Sequence, residues 1–203
     1  MTERPMTERL GITPSQTVGP YFAYALTPGD TYSLTALTSD DLVTPDTVGH
    51  PIVIEGRILD GAGDPVPDCF LELWQADGAG RYPGQPGQKP NTTFKGFGRS
   101  AADKDGRYRF HTVKPGPVAG LEGRMQAPHI NVGVFARGIL RRMFTRIYFE
   151  DETANGSDAI LALVPKDRRQ TLIARRDGEA NGAPRYVFDV RLHGDDETVF
   201  FEA

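Results

Sequence analysis

Metal-ligating and nucleophilic side chains are sparse in this sequence, and their spacing limits what they can do. The four histidines are His50, His111, His129 and His193, no two of them two or four residues apart. That excludes His-x-His and His-Glu-x-x-His, the spacings that place two ligands on one face of a strand or helix. His129 opens an apolar run, and two residues further along the same face stands Asn131. A carboxamide is a poor ligand for a transition metal, so the residues alone read His129 as a structural strand histidine. Tyr82 follows Trp74-Gln75-Ala76-Asp77 in a loop. A loop tyrosine packs or donates a hydrogen bond far more often than it ligates. Cys69, beside Phe70 and Leu71, reads as a buried, inert thiol. There is no Gly-x-Ser-x-Gly elbow and no Gly-rich phosphate loop between a strand and a helix. By residue type and spacing, the chain lacks a self-sufficient catalytic set.

Strands must position these residues. In Ile52–Leu59, Ile52, Ile54 and Ile58 share one face, with Glu55 and Arg57 on the other. Asp60 to Pro65 is a turn, and Cys69–Gln75 is the next strand, with Cys69, Leu71 and Leu73 on one face. The turn Asp103-Lys104-Asp105-Gly106 leads into Arg107–Val113, where Tyr108 and Phe110 alternate with polar residues. His129–Arg137 and Arg142–Phe149 form a strand pair around Gly138. Pro184–His193 alternates most cleanly: Tyr186, Phe188, Val190 and Leu192 point one way. A last short strand covers Thr198–Phe201. Helices are expected only at Ser157–Leu163 and at Asp167–Arg175, the latter with Asp167 as N-cap. Many short strands among 23 Gly and 16 Pro predict an all-β sandwich. Residues 1–50 read as an extended N-terminal arm and 51–203 as the sandwich domain, with long loops at 77–98 and 114–128.

Composition narrows the class. Against 27 acidic residues there are 23 Lys and Arg, a net charge of −4, so no nucleic-acid surface is indicated. One cysteine permits no internal disulfide and no thiolate zinc site, which fits a reducing cytoplasm. MTERPMTERL lacks the apolar stretch of a signal peptide, and no run approaches the roughly 20 apolar residues that span a bilayer. Because MTER occurs twice, translation is expected to start at either Met1 or Met6.

Five segments, in order along the chain, resemble the intradiol ring-cleavage dioxygenases. They are Thr13-Pro14-Ser15-Gln16-Thr17-Val18-Gly19-Pro20-Tyr21, Gly56-Arg57-Ile58-Leu59-Asp60, Leu71-Glu72-Leu73-Trp74-Gln75-Ala76-Asp77, His111 to Pro117, and Ala127-Pro128-His129-Ile130-Asn131. Phe135-Ala136-Arg137-Gly138 and Glu197 to Phe201 resemble the alpha chains of that family's two-chain members. The resemblance implies a β-sandwich and a mononuclear non-haem Fe(III) held by two tyrosines and two histidines. Tyr82 matches the first tyrosine, but Val118 stands at the second. His129 matches the first histidine, with Gln126 in place of an arginine three residues before it, but Asn131 stands at the second. Tyr82, Val118, His129 and Asn131 are thus expected to form a vestigial pocket without metal. The full ligand set is expected in a beta-chain partner, which holds the Fe(III).

Arg137 shares a strand face with His129 but lies about 26 Å away along it, too far to serve the same pocket. The resemblance makes it an arginine lent to the partner's substrate pocket, where a guanidinium suits the carboxylate of protocatechuate. It likewise places Thr17, Gly19, Pro20 and Tyr21 along the entrance of the partner's site. The implied reaction inserts O2 into protocatechuate and gives 3-carboxy-cis,cis-muconate, a step of aromatic catabolism by the β-ketoadipate route. This chain alone is expected to be inactive, and to join a symmetric assembly of alpha-beta protomers through apolar residues including Tyr21, Phe22, Tyr24, Phe94 and Phe97. Two other readings stay open: a self-contained catechol-type dioxygenase, and a β-sandwich binding module with no catalytic role.

Overall fold

The structure, a computed structural model, describes residues 25–28, 38–85, 93–120, 123–140 and 143–202. Thr17, Gly19, Pro20, Tyr21, Phe22 and Tyr24 lie outside the described residues. The described strands are β1 (Pro51–Leu59), β2 (Cys69–Trp74), β3 (Phe97–Ala101), β4 (Arg107–Val113), β5 (Val118–Ala119), β6 (Met125–Gln126), β7 (Ile130–Ala136), β8 (Met143–Phe149), β9 (Ile173–Ala180), β10 (Ala183–Val187) and β11 (Val190–Arg191). They build two leaves, β4-β1-β10-β9 and β8-β7-β2-β3. The leaves meet where β9 starts parallel to the end of β8, with Tyr148 opposite Ile173 and Phe149 opposite Ala174. The expected all-β sandwich is what forms. No helix of the described residues is long and apolar enough to cross a membrane.

Strand alternation explains the core. Ile52, Ile54 and Ile58 of β1 are buried in one cluster with Leu71 and Leu73 of β2, Ile130, Val132 and Val134 of β7, and Ile147 and Phe149 of β8. Each such side chain contributes about 1.5–3 kcal/mol on burial. Cys69 joins this core as expected, and burial pushes its thiol up to about 12. Because the side-chain period is two, Asn131 on β7 and Arg146 and Tyr148 on β8 face the other side of their leaf. On that side the site is built.

Several expectations need correction. Pro184–His193 is two strands, interrupted at Phe188 and Asp189. There the Phe188 carbonyl accepts from the Tyr108 hydroxyl, and the Arg57 amide donates to the Asp189 carboxylate instead of a backbone carbonyl. Gly56 admits this approach, since a Cβ there would lie 1.9 Å from the Phe188 oxygen. Asp167–Arg175 is not a helix: a single 3-10 turn, Arg169–Leu172, runs straight into β9. Arg168 is its N-cap residue, without a side-chain cap, and Asp167 is exposed. Pairing of β9 with β8 and β10, and burial of Leu172 and Ala174, override the local helical preference. The other helix, α1, is shorter than expected, Ala159–Leu163, and follows a 3-10 turn. Thr198–Phe201 forms only a bridge, Phe201 to Phe144. Phe94 is not an exposed contact residue but part of the core, anchored by Thr93, which hydrogen-bonds the Asp46 carboxylate through both amide and hydroxyl. Leu42 is buried in the same core.

Candidate functional site

Two loops carry the expected pocket residues Tyr82 and Val118, and the sequence clamps them together. Gln75, at the end of β2, is fully buried. Its amide donates to the Val113 carbonyl at 2.9 Å and accepts from the Thr112 hydroxyl at 2.8 Å, which fastens the start of one loop to the strand before the other. Asp77 then folds the next four residues around its carboxylate. It accepts from the amides of Ala79 and Arg81 at 2.9 and 3.0 Å and from the Arg81 guanidinium at 2.8 Å. The Gly116 amide donates to the Asp77 carbonyl at 2.9 Å. Gly80 has φ 75° and stands so close to Pro117 that a Cβ would lie 2.0 Å from the Pro117 oxygen. The Trp-Gln-Ala-Asp and Lys-Pro-Gly-Pro segments are therefore the two halves of one loop junction.

That junction and the outer face of β7 and β8 bring all four expected residues into one neighbourhood. Asn131 pairs with Trp74 of β2 on one side and with Arg146 of β8 on the other. Its amide donates at 3.3 Å to the Tyr82 hydroxyl and at 3.3 Å to the Trp74 carbonyl. The Tyr82 ring stacks on Trp74 at 5.7 Å. Val118, buried, pairs across the small β5-β6 hairpin with Gln126. Gln126 in turn accepts from Arg146 Nη1 at 2.7 Å. His129, also buried, uses Nδ1 on the Ala127 carbonyl at 2.7 Å and packs its ring 5.8 Å from Tyr148.

Residue spacing had not pointed to three members of this neighbourhood: Arg146, Tyr148 and Asp158. Arg146 Nη1 also approaches the Tyr148 hydroxyl, at 3.4 Å, and that hydroxyl donates to Asp158 at 3.1 Å. Asp158 caps α1 through the amides of Ile160 and Leu161 and accepts from the Ala127 amide at 2.8 Å. One buried carboxylate thus ties the helix to the segment that carries His129. The available signal was parity, because Arg146 and Tyr148 sit on the same face of β8 as each other and opposite the core residues Thr145 and Ile147.

The electrostatics leave the pocket lined by neutral rings around a cation. Burial holds His129 down to about 4, and the nearby Arg146 charge adds to that. Burial raises the Tyr82 phenol, against the opposing pull of Asn131 and Arg146, and lifts Tyr148 to about 12. These residues do not fit a ferric ion. Val118 offers no donor atom, the Asn131 amide is spent on Tyr82 and Trp74, and a guanidinium stands among the remaining candidates. Among the described residues no three His, Cys, Asp or Glu side chains gather as a metal site.

Arg137 is at the far end of β7, in the turn that follows Ala136, with 72% of its side chain exposed. Its Nε lies 3.1 Å from the Asp68 carboxylate. Among the described residues no contact links it to the His129 neighbourhood.

A β-sandwich whose outer strands and loop junction converge on a tyrosine and a histidine at these positions defines a class. The chain belongs to the family described as Dioxygenase, which matches residues 18–194, and within it to the intradiol enzymes. It is 47% identical over 194 residues to the protocatechuate 3,4-dioxygenase alpha chain of Burkholderia cepacia, covering 94% of this chain and 96% of that one. The beta chain from the same organism is 35% identical over 173 residues, 80% of this chain and 72% of its own. Among solved structures, the dioxygenase domain of a carbohydrate-binding fusion from Streptomyces sp. SirexAA-E superposes with a TM-score of 0.60 at 26% identity, covering 90% of this chain and 98% of that one.

Proposed function

We propose that this chain is the iron-free alpha subunit of a protocatechuate 3,4-dioxygenase, completing active sites whose Fe(III) a homologous beta chain holds. The observation that carries this reading is the composition of the pocket. Tyr82 and His129 remain, Val118 and Asn131 supply no ligand, and Arg146 brings a positive charge among them. The assembled enzyme inserts both atoms of O2 into protocatechuate and opens the ring between its hydroxyls, giving 3-carboxy-cis,cis-muconate, with the oxygen chemistry supplied by the partner's iron.

The contribution of this chain is positional. Arg137 presents a guanidinium from an exposed turn, and a carboxylate can take its Nη edge while Asp68 holds Nε. Of the arm, residues 1–50, the stretch from Ser39 to Leu42 is fastened to this chain's own sandwich, and the part with Thr17, Gly19, Pro20 and Tyr21 is the part proposed to line the entrance of the partner's site, while 51–203 form the sandwich. Alpha-beta pairs build a larger symmetric assembly in the cytoplasm. Co-expression with a beta chain that has both tyrosines and the His-x-His pair tests the reading. Protocatechuate consumption is expected from the co-purified pair and not from this chain alone. Ring cleavage by this chain alone would overturn it.

A further inference from the structure

We infer that Arg146 is the resident cation of this pocket: its guanidinium takes the place that a metal ion would need, and its charge keeps metals out even where ligands are restored. The inference rests on the reading of the pocket as a remnant metal site and goes beyond it, because loss of two ligands and exclusion by a charge are separate causes of the same emptiness.

Geometry carries the point. Arg146 lies directly across the β7-β8 ladder from Asn131, whose amide reaches Tyr82. Nη1 of Arg146 is held by Gln126, which pairs with Val118. The same nitrogen reaches the hydroxyl of Tyr148, whose ring packs on His129. Asn131 is thus its direct partner across the ladder, and Tyr82, Val118 and His129 are each linked to it through one residue, Asn131, Gln126 and Tyr148 respectively. Among the described residues its hydrogen-bond partners are the neutral oxygens of Gln126 and Tyr148. The charge of this half-buried guanidinium is offset only in part by Asp158, whose carboxylate reaches it through the Tyr148 hydroxyl. A di- or trivalent cation entering the same space meets that charge at short range, where repulsion is screened poorly. Arg146 also bonds into the pocket wall, so it cannot swing aside without leaving Gln126 unpaired.

Restoring ligands without removing the charge separates the two causes. The probe is iron, counted on the full chain purified with whatever chain it assembles with, relative to the unmodified protein. Val118→Tyr with Asn131→His is expected to add no iron. Adding Arg146→Gln is expected to add about one iron per chain and a new tyrosinate absorption, whereas adding Arg146→Lys, which keeps the charge, adds neither. Arg146→Met in the same background provides a second neutral variant should the glutamine form fail to fold, with cooperative melting as the check. Iron uptake by the double variant while Arg146 is present overturns the inference. So does the absence of uptake in a folded neutral variant. Stoichiometric iron in this pocket of the unmodified chain would instead sink the remnant-site reading itself.

Discussion

The two ends of β7 have opposite characters. At one end, the buried His129 and the half-buried Asn131 stand among neutral rings beside Arg146, braced by Asp158 and the loop junction. At the other, Arg137 stands in an exposed turn with its Nε against the Asp68 carboxylate. The strand between them is ordinary sandwich, its alternate residues Ile130, Val132, Val134 and Ala136 buried in the core. On the proposed reading, the comparison teaches that a scaffold can keep the rigidity of an active site after losing its chemistry. Burial and hydrogen bonds hold the His129 end, and on the same reading the stiff strand between carries Arg137 to the partner. A residue presented to a partner needs a stiff strand behind it more than it needs a pocket of its own.

Acid should separate the two ends most strongly. Burial favours the neutral His129 ring, so it takes up a proton only near pH 4 in the folded chain, against 6.5 for the ordinary group. As pH falls, the unfolded chain is protonated first. The stability that neutral His129 provides is therefore complete above pH 6.5, declines below it and is gone below about 4, a change of about 3 kcal/mol. Melting temperatures of the assembled protein between pH 7 and 4 should fall less steeply for His129→Gln than for the unmodified chain. Parallel curves would mean that the His129 ring is not held in its neutral form.

A smaller effect is expected at the exposed end. Removing a charge-assisted contact costs about 1.5–3 kcal/mol, so Arg137→Ala should raise KM for protocatechuate roughly tenfold or more in the assembled enzyme. Catechol, which lacks the carboxylate, should be affected much less, and the melting temperature hardly at all. Equal losses with both substrates would make Arg137 an interface residue and remove the functional contrast between the two ends.

How much of this was legible beforehand varies with how local its cause is. Arg107–Val113 forms with the expected bounds, because Tyr108 and Phe110 on one face settle a strand without help from elsewhere. The break at Phe188 is not local. It depends on Tyr108, Gly56 and Asp189, residues far apart in sequence. Asp167–Arg175 misled for a related reason, since Ile173 and Ala174 pair with β8, Arg175 pairs with β10, and Leu172 is buried beneath them. In the site, Tyr82, Val118, His129 and Asn131 could be named from their motifs. Arg146 could not, because an arginine alternating with apolar residues reads as a solvated strand face until the partner strand, and Asn131 on it, is known.

The most direct test of the account is an iron count. In the co-purified alpha-beta assembly, one iron per pair is expected, and Tyr82→Phe should leave both that number and the visible tyrosinate band unchanged, with turnover altered by less than about tenfold, or ~1.4 kcal/mol. Two irons per pair, or a band that weakens when Tyr82 is changed, would show that this chain holds a working metal centre and contradict the account.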